Sequence, residues 1–220
     1  MAAVRHHRRL PPAAALALAA LLGLSAGHAG AGPERVAADG DGRPLRIMFP
    51  MVGSVEEWRQ ARDMTERLRL EIPVADLQLG IMIEVPSAAL LAPVLAKEVD
   101  FFSVGTNDLT QYTLAIDRAD EAVAHLYDPW HPAVLRLIKQ LGDAGIASGK
   151  PVGVCGEAAA DPNLAIVLVG LGVTTLSMTP AALAEVRAAL LTVTLDEAKA
   201  RAARALNGRT AAEARKLGSE

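Results

Sequence analysis

From Leu45 onward the chain alternates between short apolar runs and longer stretches with helical periodicity. Leu45–Val52 is almost wholly apolar and leaves through Pro50-Met51-Val52-Gly53, which reads as a strand and its exit. Ser54 followed by Glu57 has the form of a capping box, and Trp58, Ala61, Met64 and Leu68 then recur on one helical stripe. That helix is predicted to reach about Glu71, where Pro73 stops it. Leu77–Val85 is the second strand, with a helix from Ser87 to about Lys97 behind it. A strand over 100–105 leads to a loop and a short helix near Leu109–Ala115. After the turn Asp128-Pro129-Trp130-His131-Pro132, a helix fills 133–148 and a strand 151–155. Asp161-Pro162 opens a helix that Gly170 and Gly172 close, and Thr174–Met178 is the last strand. Helices from Pro180 to about Leu191, after the cap Thr194, and from Thr210 to Leu217 complete the chain. Five strands in βα alternation predict a parallel sheet with right-handed crossovers.

Polar residues interrupt the apolar runs at one recurrent place, the carboxyl end of a strand. The stretch Val99 to Arg118 carries Phe101, Phe102 and Val104, is broken by Gly105, and then presents Asn107 and Asp108. Leu79–Pro86 is an apolar run with a single acid, Glu84, placed where Pro86 ends the pairing. Val152–Glu157 repeats the design with Cys155 and Glu157. Ligands of parallel α/β proteins bind at this end of the strands. Two carboxylates there, Glu84 and Asp108, are hard oxygen donors suited to Mg²⁺, with coordination positions left for substrate oxygens. Arg118 can bind phosphate with its planar fork, or simply pair with Asp117 or Asp120 at the surface. Asn107 can donate to a phosphate or serve as a turn residue. Glu157 is a weaker candidate, orienting a neighbour or capping the next segment. His125 and His131 flank the turn before helix 133–148 and are read as structural.

Composition narrows the function classes. A hydrophobic share of 51% supports a packed core, and a net charge of −3 without a basic cluster past the N-terminus argues against nucleic acid. The single cysteine, Cys155, excludes an intramolecular disulfide and suits a reducing compartment. Residues 1–44 differ from the rest: Arg5, Arg8 and Arg9 precede an apolar run over Ala13–Leu24, and Ala29-Gly30-Ala31 follows. That order is signal-like, and the run is too short for a stable anchor. The domain division expected is therefore a leader and linker over 1–44 and one folded domain over 45–220.

The words Phe101–Arg118, Gly80–Pro86 and Val152–Glu157 resemble the C-terminal barrel of the phosphoenolpyruvate-utilising enzymes. Within that family, Tyr112-Thr113-Leu114-Ala115-Ile116-Asp117-Arg118 is most similar to the phosphoenolpyruvate–protein phosphotransferases, enzyme I of the bacterial sugar phosphotransferase system. The resemblance implies a partial (β/α)₈ TIM barrel comprising about the last five βα units, since a whole barrel takes about 250 residues. It implies that Glu84 and Asp108 coordinate Mg²⁺, that Asn107, Asp108, Arg118 and Glu84 bind phosphoenolpyruvate, and that Cys155 gives or takes the proton at C3 of enolpyruvate. It implies phosphoenolpyruvate and pyruvate as ligands, a histidine phosphocarrier protein as partner only if the missing phosphohistidine and carrier-binding domains complete the enzyme, and a homodimer through the barrel. Catalytic competence of the chain by itself is left open. A cytoplasmic setting follows from the family, and export is the alternative raised by the leader. A pyruvate phosphate dikinase or phosphoenolpyruvate synthase domain is the runner-up, and an inactive remnant serving as a binding or dimerisation module is the third reading. An open sheet with an exposed apolar concave face, prone to self-association, is the expected physical consequence of five strands.

Overall fold

The computed structural model describes residues 45–71 and 76–220; the leader expected over 1–44 lies outside them. Five strands, β1 (Leu45–Phe49), β2 (Leu77–Ile83), β3 (Phe101–Gly105), β4 (Val152–Cys155) and β5 (Thr175–Ser177), form one sheet in the order β1-β2-β3-β4-β5. Every neighbouring pair is parallel. Sequential order combined with right-handed crossovers sends each connection to the same face of the sheet. The fold is therefore the α/β class in its barrel form, an arc of a (β/α)₈ barrel, rather than a doubly wound sheet covered on both faces. β1 and β5 do not pair with each other, so the arc is open among the described residues.

Side-chain alternation sorts the strands cleanly. Ile81, Ile83, Phe102, Val104 and Val154 are buried beneath the helices, where they meet Trp58, Leu95, Leu135, Ile138, Leu141, Leu164 and Leu168. The alternate positions lie on the concave face in register: Arg46 opposite Gln78, Gly80 opposite Phe101, Met82 opposite Ser103, and Gly153 opposite Thr175. The exposed concave face is the one expected, with Met48, Phe101 and Pro151 lining it and polar groups interspersed. Arg46 lies 5.5 Å over the Phe101 ring while its Nε donates to Gln78 Oε1 at 2.8 Å, so the base of the sheet is covered by a cation and an amide. Ser103, Thr175 and Ser177 add hydroxyls around an open cavity of about 270 Å³. A second hollow lies at the β5 edge, lined by Leu176, Met178, Leu183, Leu190 and Leu191 together with Thr174 and Arg187.

The helices follow the expected order, with two informative differences. α1 spans Val55–Glu71; Ser54 Oγ accepts from Glu57 N at 3.2 Å, but the Glu57 carboxylate accepts from Gly53 N rather than from the cap residue. The helix expected over Ser87–Lys97 is two short pieces, α2 (Pro86–Leu90) and α3 (Ala92–Leu95), because Pro93 has no N–H to continue the ladder. α4 (Thr106–Leu114) begins directly after β3, so Asn107 and Asp108 occupy its first turn and not a loop. α5 (Pro132–Ser148) is capped by His131, whose Nδ1 accepts from Ala133 N at 3.2 Å, a structural role as expected. α6 (Pro162–Gly170), α7 (Pro180–Leu190), α8 (Leu195–Ala205) and α9 (Ala211–Ser219) close the chain, with a full capping box at Thr194 and Glu197. Arg215 of α9 lies 5.3 Å over the buried Trp130 ring and bonds Asp128 and Asp161, pinning the last helix to the α5 and α6 entries. Among the described residues, no helix is long and apolar enough to cross a membrane.

Candidate functional site

The carboxyl ends of β2, β3 and β4 bring the sequence-selected residues to one rim. Cys155 is the register partner of Gly105, and Ile83 of Val104, so continuing the pairing by one residue sets Glu84 beside Gly105. Glu84 thus continues the concave-face alternation of β2. Only glycine leaves room for it: a Cβ on Gly105 would lie 2.7 Å from Glu84 Cγ and 2.8 Å from Oε1. Glu84 is 6% exposed, and its Oε2 accepts the Met51 backbone N–H at 2.9 Å. Burial pushes the Glu84 carboxyl up; the Met51 amide works against this, and the Asp108 charge adds to it. Met51 holds a left-handed φ of 56°, a conformation that costs a residue with a side chain about 1 kcal/mol or more. The strained turn after β1 is what aims that amide at the carboxylate.

Cys155 Sγ donates to the Val104 carbonyl at 3.4 Å and lies 4.0 Å from Ser103 Oγ. Burial raises the thiol pKa, the Ser103 hydroxyl offsets part of the effect, and the Glu84 charge adds to it. These influences favour the neutral thiol over the thiolate. The chain leaves β4 through Gly156, whose φ of +100° brings it under α4; Thr106 Oγ1 donates to the Cys155 carbonyl at 2.9 Å and locks the two strand ends together.

Asp108 sits in the first turn of α4. Arg118 Nη2 lies 3.4 Å from Asp108 Oδ1, so the guanidinium pairs back onto the rim rather than with Asp117 or Asp120. The path that allows this is set by Ala115, which ends α4 at φ 53°, and by the Arg118 N–H donating to Gln111 Oε1 at 3.2 Å. Asn107 Oδ1 accepts the Tyr127 phenol at 3.2 Å. Asn107, Arg118, Ala124, Tyr127 and Glu157 enclose an open pocket of about 360 Å³. The five residues selected from sequence, Glu84, Asn107, Asp108, Arg118 and Cys155, therefore lie at or beside one rim. Sequence reasoning missed Met51, Ser103 and Tyr127. The lone hydroxyl inside Phe101–Gly105 was a readable signal for Ser103; nothing local marks Tyr127, which lies 20 residues from its partner.

Two carboxylates and a thiol at the carboxyl ends of parallel strands stand where barrel folds place their functional sites. Comparison makes the assignment specific. The model of the family described as "PEP-utilising enzyme, PEP-binding domain" matches residues 3–195, and the chain belongs to that family. It is 47% identical over 175 residues to the phosphoenolpyruvate-protein phosphotransferase of Haemophilus influenzae, covering 77% of this chain and 30% of that protein. It is 51% identical over 176 residues to the multiphosphoryl transfer protein of Rhodobacter capsulatus, covering 80% of this chain and 21% of that protein. The chain thus spans less than a third of the length of these curated relatives. Among solved structures, a citrate lyase from Burkholderia xenovorans matches 72% of this chain and 52% of its own at a TM-score of 0.54 and 20% identity. A Haloferax volcanii malate synthase matches 65% of this chain and 43% of its own at a TM-score of 0.52 and 17% identity. These two likenesses concern the fold.

Proposed function

We propose that the chain carries the substrate-binding and proton-donating part of a magnesium-dependent phosphoenolpyruvate–protein phosphotransferase of the sugar phosphotransferase system. The observation that carries this reading is the shared rim: Glu84 against Gly105, Cys155 paired to Gly105, and Asp108 bonded to Arg118. Its donor set fits a hard divalent cation. Burial first, and the Asp108 charge in addition, make the Glu84 carboxyl harder to ionise, a cost that a cation beside the two carboxylates would relieve. Among the described residues no three His, Cys, Asp or Glu side chains converge on one point. Two carboxylates with the remaining positions left to substrate oxygens and water are the usual provision for Mg²⁺ in phosphoryl transfer. When bound, the ion neutralises charge on the phosphate and carboxylate oxygens of the substrate.

The chain's own groups do the rest. Arg118 and Asn107 donate to substrate oxygens and fix the molecule's orientation. Once the phosphoryl group has gone to its acceptor, the enolate of pyruvate remains. The Cys155 S–H bond breaks, a C3–H bond forms, the enolate C–O becomes a carbonyl, and a thiolate is left on sulfur. Burial keeps that thiol protonated for the step, and the reverse step takes a C3 proton from pyruvate. The relatives' name, a phosphotransferase from phosphoenolpyruvate to protein, supports a protein acceptor; in this reading it is a histidine phosphocarrier, reached only where phosphohistidine and carrier-binding domains complete the enzyme, in the cytoplasm where phosphoenolpyruvate is a metabolite. Titration calorimetry with Mn²⁺ and phosphoenolpyruvate tests the site: binding is expected in the wild-type chain and lost in Asp108→Ala. Unchanged metal affinity in Asp108→Ala would remove the assignment.

A further inference from the structure

We infer that Tyr127 is a positioning residue that sets the Asn107 carboxamide so that its NH₂ end faces the pocket beside Arg118. The inference rests on the reading above that Asn107 binds substrate oxygens. A carboxamide has one acceptor end and one donor end, and a half-turn exchanges them. Facing a carboxylate or phosphoryl group, the NH₂ attracts and the carbonyl repels, so orientation decides whether the residue helps or hinders.

Two features fix the orientation. The Tyr127 phenol donates to Asn107 Oδ1 at 3.2 Å. Gly156, at φ +100°, closes on the same oxygen from β4: a Cβ there would lie 3.2 Å from Oδ1 and 3.5 Å from Cγ. Among the described residues Nδ2 makes no hydrogen bond, so the donor end is left for a ligand. Tyr127 and Arg118 border the same pocket, so the arrangement presents a guanidinium and an amide NH₂ side by side to an anion.

The experiment uses the full chain, ¹⁵N-labelled, as wild type and Tyr127→Phe, which removes only the hydroxyl. The side-chain amide signals of Asn107 are expected to shift in Tyr127→Phe. Phosphoenolpyruvate affinity in the presence of Mg²⁺ is expected to fall about twofold to tenfold in Tyr127→Phe, the range for one neutral hydrogen bond. In an Asn107→Ala background, Tyr127→Phe should cause no further loss. An unmoved Asn107 amide signal in Tyr127→Phe, or an equal affinity loss with and without Asn107, overturns the inference. If the wild-type chain binds no phosphoenolpyruvate, the reading of the pocket fails, and the amide signals alone decide for or against the role of Tyr127.

Discussion

Replacing Gly105 with Ala places a methyl group against the buried carboxylate on which the site depends. Its Cβ would lie 2.7 Å from Glu84 Cγ, 2.8 Å from Glu84 Oε1 and 3.1 Å from Met82 Sδ. Carbon atoms rest at about 3.5–4.0 Å, so Glu84 must retreat by roughly 1 Å. It has little room to do so, being 6% exposed and tied to the Met51 N–H at 2.9 Å. Gly105 has φ −86°, a value open to alanine, so the cost is steric and not conformational. Overpacking of this kind costs about 1–3 kcal/mol, and the lost freedom of the unfolded chain returns about 0.4–1 kcal/mol. A net loss of about 1–2 kcal/mol corresponds to a fall of about 2–8 °C in Tm for a chain of this size. Thermal unfolding followed by circular dichroism reads that loss, and titration with Mn²⁺ reads the displaced carboxylate, expected as a loss of about tenfold or more. Ile138→Val is the control: a core residue of α5, 2% exposed, whose truncation costs about 0.5–1.5 kcal/mol and should leave Mn²⁺ affinity alone. Gly105→Ala with wild-type Tm and wild-type Mn²⁺ affinity would refute the reasoning.

Glu84→Gln should raise the melting temperature of the metal-free chain at neutral pH. Burial raises the folded carboxyl's pKa, so the folded state holds the proton more tightly than the unfolded one; stability falls as pH climbs from the unfolded value near 4.3 to the raised folded value, and stays reduced above it. Melting curves from pH 4 upward should therefore diverge between wild type and variant, and parallel curves would count against the burial argument. Arg215→Ala removes the contacts to Asp128 at 3.1 Å and Asp161 at 3.3 Å and the stacking on Trp130. With the guanidinium half exposed, the loss is about 1 kcal/mol, concentrated in α9. Hydrogen exchange should quicken across 211–219 and not in β2 or β3; uniform change would contradict the local pin.

Sequence pattern carried the fold far because each strand announces itself twice, by an apolar run and by a residue that ends it. Leu79–Pro86 and Val152–Glu157 are such cases, and both strands lie where expected. Boundaries failed where one residue overrides periodicity: Pro93 splits a helix that its neighbours would have continued. The first turn of α4 was misjudged for a related reason. Gly105 looked like a breaker, but its φ of −86° takes the chain straight from strand to helix, and the glycine serves to make room for Glu84. The Arg46–Gln78 contact beside Phe101 was not legible, because the two residues lie 32 apart and meet only in register. At the rim, side chains with their own chemistry (Glu84, Asp108, Cys155) were legible, whereas the groups that orient them were not. A backbone amide at a left-handed Met51 and a phenol from a distant turn carry no local signature.

The central claim is that Cys155, on a rim with Glu84 and Asp108, moves a proton at C3 of enolpyruvate. Pyruvate incubated with the chain and Mg²⁺ in deuterium oxide tests it without needing a phosphoryl acceptor, and the methyl signal in the proton spectrum reports the result. The account predicts slow, Mg²⁺-dependent deuterium uptake at C3 by the wild-type chain, and uptake at the protein-free rate with Cys155→Ala folded to the same extent. Equal uptake by the wild type and Cys155→Ala would contradict it.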